Sequence, residues 1–229
     1  MEQLPFIILL LYALYEGLLH AFEADHILAV TSIVSQRNRI FPALKDGIFW
    51  GLGHTSTIFL IGAAMILFRV NIPENSFSYF EAAVGLMLII VSLWRIYVFF
   101  KKEQSIPVHT HEHEHAGENQ TPHLHVHLKS GNLHKASYGI GLVHGLAGSG
   151  ALVVLVMTQI KTVVNSMLYL LIFGTGSIIG MMIVAGVFSV PFSRKLINSK
   201  WLRTTLVLLS SILCFVYGCY VIYNNLLNG

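Results

Sequence analysis

The chain has 229 residues, of which 55% are hydrophobic and 11% charged, against about 25% charged in an ordinary soluble domain. That balance excludes a water-soluble globule, and six membrane spans of about 20 residues each would absorb most of the apolar content. The net charge of +3 identifies no partner by itself. Cys214 and Cys219 lie in one apolar stretch without CxxC spacing, which argues against a thiol-redox carrier or a disulfide scaffold.

The first apolar stretch, about 4–34, has neither a basic leading region nor a small-residue cleavage site, and reads as a span rather than a secretory leader. It carries Glu16, His20, Glu23, Asp25 and His26 in its middle. Each charge at the bilayer centre costs about 2.5–3.5 kcal/mol even on the lenient insertion scale. No Lys or Arg lies at similar depth in the sequence, so a cation from outside the chain is the expected compensation. On an unbroken helix Glu16, His20, Glu23 and His26 share an arc of about 120°, whereas Asp25 points about 140° away from His20. To join them, the segment must unwind locally, or Asp25 must meet a separate partner such as His54 or His144. Imidazole nitrogen with carboxylate oxygen suits Zn(II), Ni(II), Co(II), Mn(II) or Fe(II). The competing expectation is that these groups only bond one another and hold the bundle together.

A basic turn at 36–39 precedes the second span, about 46–68, which holds His54 in Gly-His-Thr-Ser-Thr. The turn at 71–75 leads into the third span, about 77–100. Residues 101–136 then form a polar connection in which His109, His111, His113 and His115 alternate with Thr or Glu. His123, His125 and His127 alternate with Leu or Val, and His134 follows. The connection is too polar and too low in complexity for a core, and it is expected to be disordered and to bind first-row metal ions. The fourth span, about 137–158, carries His144, with Gly145, Gly148 and Gly150 allowing close helix approach or a break. The fifth and sixth spans are about 165–191 and 202–224.

The halves echo each other. Gly17-Leu18-Leu19-His20-Ala21 matches Gly141-Leu142-Val143-His144-Gly145, and Gly53-His54-Thr55-Ser56 matches Gly174-Thr175-Gly176-Ser177. Three spans per half imply opposite insertion, a 3+3 inverted repeat with its site near the midplane. Of the 14 Lys and Arg, all but Arg69 and Lys161 lie in or border the connections between spans one and two, three and four, or five and six. The positive-inside rule then puts both termini outside and the histidine-rich connection in the cytoplasm. The expected fold is all-α and polytopic, with 1–100 as the first repeat, 101–136 as the connection and 137–229 as the second repeat.

His20-Ala21-Phe22-Glu23-Ala24-Asp25-His26-Ile27 resembles the His-Ala-x-Asp-Ala-Asp-His-Ile signature of the nickel/cobalt permease family (NiCoT, within NicO). Gly53-His54-Thr55-Ser56-Thr57 resembles its second signature, and the run 144–150 is similar to the short urease-accessory-type nickel permeases of that superfamily. The resemblance implies that His20, Asp25, His26 and His54 serve a nickel or cobalt path. Glu23 stands where the signature has Asp, and the second half lacks the acidic motifs of the larger permeases.

The expected function is secondary transport of Ni(II), with Co(II) second, into the cell across the cytoplasmic membrane. The metal set is His20, Asp25, His26, His54, Glu23, Glu16 and His144, with the connection histidines as acceptors. The expected partners are the ion, the bilayer and a cytoplasmic nickel chaperone or nickel-enzyme maturation protein, with no organic cofactor and no nucleic acid. No Walker-type phosphate loop is present. The alternatives are efflux of the same ions and, less favoured, an intramembrane enzyme built on Ser149.

Overall fold

A computed structural model describes residues 3–37, 39–68, 73–104, 131–160, 162–193 and 199–227. Among these residues there are seven α-helices and no strand. They are α1 (Gln3–His20), α2 (Ala24–Val34), α3 (Ile40–Phe68), α4 (Glu74–Gln104), α5 (Gly131–Gln159), α6 (Val163–Ser189) and α7 (Lys200–Leu226), with a 3-10 turn at Val190–Phe192.

Four stretches are long and apolar enough to cross a membrane: Ile40–Phe68, Ser76–Lys101, Val163–Phe192 and Trp201–Leu226. The pair α1 and α2 passes the same test jointly, bent by 56°. α5 matches α3 in length at 29 residues, although the side chains of 148–159 are outside the description. Twenty-nine residues extend about 44 Å, enough to cross a hydrocarbon core of about 30 Å. Large apolar side chains such as Leu11, Leu60, Ile90 and Val216 are exposed along these helices, as a surface solvated by lipid requires.

The first span is therefore not one helix. α1 ends at His20, where the Phe22 and Glu23 amides bond back three residues to Leu19 and His20. Glu23 is extended, and α2 starts afresh from its carbonyl. The single-face arrangement of Glu16, His20, Glu23 and His26 on an unbroken helix does not occur. The connection is shorter than 101–136, because α4 runs to Gln104 and α5 begins at Gly131, so His134 is helical. α5 is not broken at its glycines; Gly145 instead backs onto His54 and Thr57.

Close backbone approach sets the packing. A Cβ on Gly141 of α5 would overlap the Trp50 carbonyl of α3, and one on Gly53 of α3 would overlap the Tyr138 carbonyl of α5. α1 and α6 meet in the same way, through Gly17 against Phe173 and Gly176 against Leu14. α4 and α7 meet through Gly85 and Gly218. One core gathers Val30 and Val34 of α2, Trp50 of α3, Leu88 of α4, Met181 of α6 and Cys214 of α7, while a second joins α1, α3 and α6 around Ile58 and Tyr169. With the helices drawn this close, residues halfway along α1–α2, α3 and α5 converge.

Candidate metal centre

The break after α1 puts His20 at one helix end and Asp25 and His26 in the first turn of the next. α3 supplies His54 and α5 supplies His144, each near its helix middle. His26, His54 and His144 are essentially inaccessible to solvent.

An ionised carboxylate only accepts hydrogen bonds, so a ring nitrogen facing one must carry the hydrogen. His20 Nδ1 donates to Glu23 Oε1 at 2.8 Å and His26 Nδ1 to Asp25 Oδ1 at 3.0 Å. His144 Nε2 donates to Asp25 Oδ2 at 2.8 Å. Asp25 Oδ1 also accepts the His26 backbone amide at 2.9 Å, at the positive end of the α2 dipole. In a neutral ring the other nitrogen then holds a lone pair, which here means His20 Nε2, His26 Nε2 and His144 Nδ1. All three are buried and meet no donor among the described residues, and the same is true of both ring nitrogens of His54. An unmet buried polar atom costs about 1–3 kcal/mol. Four such imidazoles together offer lone pairs that could hold something that accepts electron pairs.

The geometry selects among them. The ring centres of His20, His26 and His54 form a triangle with sides of 4.5, 5.1 and 5.2 Å. A first-row ion about 2.1 Å from each nitrogen lies about 3.2 Å from each ring centre, so ligands at 90° or 109° have centres about 4.5 or 5.2 Å apart. The observed triangle spans those two values. The ligand nitrogens lie within 4.8 Å of one another, and a shift of each by about 1 Å closes them onto a bonded ion. Asp25, His26 and His144 form a second close group, but most of their polar atoms are already engaged with one another. They suit a supporting role, because a carboxylate that bonds the far nitrogen fixes the tautomer and orientation of a ligating histidine. Trp50 stacks on His26 at 5.6 Å, and Phe173 lies 5.6 Å from the His20 ring, so aromatic faces close the cluster.

The sequence-derived residues thus separate. His20, His26 and His54 bring free nitrogens together, and Asp25 bridges His26 to His144, whose Nδ1 is also unmet but lies outside that group. Glu23 holds His20 from a half-exposed position, and Glu16 belongs to neither ligand group. His109, His111, His113, His115, His123, His125 and His127 lie outside the described residues.

Two features went unread in the sequence. Asp46 of α3, 1% exposed, accepts two bonds from the Arg37 guanidinium, one from His134 Nδ1 at 2.6 Å and one from Ser137 at 3.3 Å. An acidic residue at the edge of an apolar stretch, with arginine nine positions before it, was the available signal. The second is a cavity of about 460 Å³ that reaches His20, Asp25 and His26 from the ends of α4 and α7.

No family model matches the chain, and no solved structure matches it. The chain is 30% identical over 228 residues to the urease accessory protein UreH of Bacillus sp. (strain TB-90), covering 98% of this chain and 94% of the relative. With that identity over nearly the full length of both proteins, the chain belongs to the family of the urease accessory protein UreH.

Proposed function

We propose that the protein is a membrane permease of the nickel/cobalt type that carries Ni(II), with Co(II) as competitor, into the cell. The observation that carries this reading is the set of buried lone pairs on His20, His26 and His54, spaced for one first-row dication and met by no hydrogen-bond donor. The absence of thiolate among these donors disfavours Cu(I). The relative is named for urease, a nickel enzyme, and by name it is an accessory protein rather than an enzyme. Both points agree with a nickel supply role, and a nickel chaperone or maturation protein is the proposed recipient.

The architecture we infer is six spans in a 3+3 inverted repeat within the cytoplasmic membrane, both termini outside. Its support is the equivalence of contacts: Gly17 meets Phe173 and Ser177 as Gly141 meets Trp50 and His54, and Gly176 meets Leu14 and Leu18 as Gly53 meets Tyr138 and Leu142. These pairs shift the sequence register of the second half. Gly53 corresponds to Gly176 rather than Gly174, so the counterpart of His54 is Ser177. His20 and His144 remain equivalent. The transport ligands therefore belong to the first half, and the second contributes one supporting histidine.

Inward movement needs no fuel beyond the membrane potential. A dication gains about 4.6 kcal/mol per 100 mV of inside-negative voltage, about a 2,000-fold accumulation. Ligating imidazoles must be neutral, so uptake falls on acidification as protons compete. The histidine-rich connection would receive the ion on the cytoplasmic side.

Purified protein in liposomes with an imposed inside-negative potential tests the reading with radioactive nickel. Wild type is expected to accumulate it, and His26→Ala and His54→Ala to lose both uptake and high-affinity binding in detergent. Normal uptake by both variants would refute the site. Metal sensitivity rather than metal starvation in a deletion strain would reverse the direction to efflux.

A further inference from the structure

The cavity beside the histidine cluster has a lining of its own. Besides His20, Asp25 and His26 it is bordered by Glu23, Glu81 of α4, and Tyr217, Tyr220, Asn224 and Asn225 of α7. Glu81 sits five residues inside the apolar stretch Ser76–Lys101, where a carboxylate facing lipid is disfavoured, though less than at the bilayer centre. It does not face lipid. Val84 and Leu88, three and seven positions on, are buried against the protein, so Glu81 lies on the inward stripe of α4. It is exposed and borders the cavity. The Asn225 amide donates to the Val221 carbonyl at 3.0 Å, leaving its own oxygen to accept. Among the described residues no lysine or arginine borders the space. At its inner end lies His26, a residue 1% exposed, whose unpartnered Nε2 offers a lone pair to an electron-pair acceptor.

We propose that this cavity is a second, outer binding station for the hydrated dication, with Glu81 as its capturing carboxylate. The inference rests on the proposed role of the histidine cluster and adds the step before it. Six waters at about 30 Å³ each fill about 180 Å³, so a volume of about 460 Å³ admits a fully hydrated ion with water to spare. Glu81 and Glu23 attract it through its water shell, and the asparagine and tyrosine oxygens accept from those waters. Dehydration begins only where the ion meets His20 and His26. An outer station of this kind raises local concentration without selecting one dication from another; selection belongs to the inner nitrogens.

The test is initial-rate nickel uptake in proteoliposomes for wild type, Glu81→Gln, Glu81→Asp and His26→Ala at several salt concentrations. Across one water layer, removing a unit charge about 5 Å from a dication raises KM about tenfold in 0.01 M salt and about fivefold in 0.15 M, but less than twofold in 1 M. Glu81→Gln is expected to follow that series with kcat within about twofold of wild type, and Glu81→Asp to restore most of the KM. His26→Ala is expected to abolish uptake at every salt concentration. An unchanged KM for Glu81→Gln in 0.01 M salt, with His26→Ala still inactive, overturns the outer station and leaves the inner site standing. A salt-independent loss of kcat in Glu81→Gln also overturns it, since that marks a structural role. Uptake by His26→Ala at the wild-type rate removes the inner site and this inference with it.

Discussion

Asp25 holds two histidines at once, and removing its charge should expose how far the metal site depends on that bridge. In Asp25→Asn the side chain keeps one accepting oxygen and replaces the other with an amide donor. Either His26 Nδ1 or His144 Nε2, 3.0 and 2.8 Å away in the native chain, then faces a group that cannot accept. Bonds to charged acceptors are worth about 1.5–3 kcal/mol each, and loss of a supporting carboxylate behind a metal-ligating histidine costs about 10–100-fold in metal affinity. Asp25→Asn is therefore expected to weaken nickel binding about 10–100-fold, or about 1.4–2.7 kcal/mol. Glu23→Gln makes the internal comparison: its carboxylate is 56% exposed, and glutamine still accepts from His20 Nδ1. Exposed pairs are worth about 0–1 kcal/mol, so its loss should stay below about fivefold. The assay is calorimetric titration of nickel into purified protein in detergent, with thermal unfolding of each variant as the fold control. A folded Asp25→Asn protein that binds within threefold of wild type, or more tightly than Glu23→Gln, would refute the bridging argument.

Gly141→Ala drives a methyl into the Trp50 carbonyl and should destabilise by about 1–3 kcal/mol or more, lowering the unfolding temperature in detergent. Gly139→Ala on the same helix meets nothing within 4 Å and should be neutral or stabilising by up to about 1 kcal/mol; equal effects would remove close approach as the explanation. Asp46→Asn leaves a buried arginine facing a neutral amide and is expected to cost about 3–5 kcal/mol, whereas a loss under about 1 kcal/mol in denaturant titration would show that the Arg37 network is dispensable. His144→Ala keeps all three free-nitrogen ligands but strips Asp25 of one partner, so nickel affinity should fall while binding stoichiometry stays unchanged; loss of a bound ion would make His144 a ligand.

The helical content was legible because long apolar runs have few other uses; among the described residues four stretches are long and apolar enough to cross a membrane, and the first run is a bent pair of helices. The cluster from Glu16 to His26 was legible because charge inside an apolar run is costly. Helical periodicity could not settle how Asp25 is placed. The wheel set it opposite His20, and only the break at 21–23, made where Ala21 packs tightly against Gly180 of α6, shows which way it turns. Glu16, one turn before His20 on α1, falls outside the ligand groups. In the inverted repeat we propose, the sequence alone could not choose between Gly174 and Gly176 as the partner of Gly53, because they are interchangeable letters until Gly176 is seen against Leu14 and Gly174 against Thr55.

Composition alone determined that this chain lives among apolar surroundings and keeps a few ionisable side chains there at a cost. Which nitrogens are left bare, which carboxylate supports them and which faces water were decided by tertiary structure. A lone pair goes unmet only when every neighbouring donor is fixed elsewhere, and those neighbours come from four helices whose middles and ends only the fold brings together.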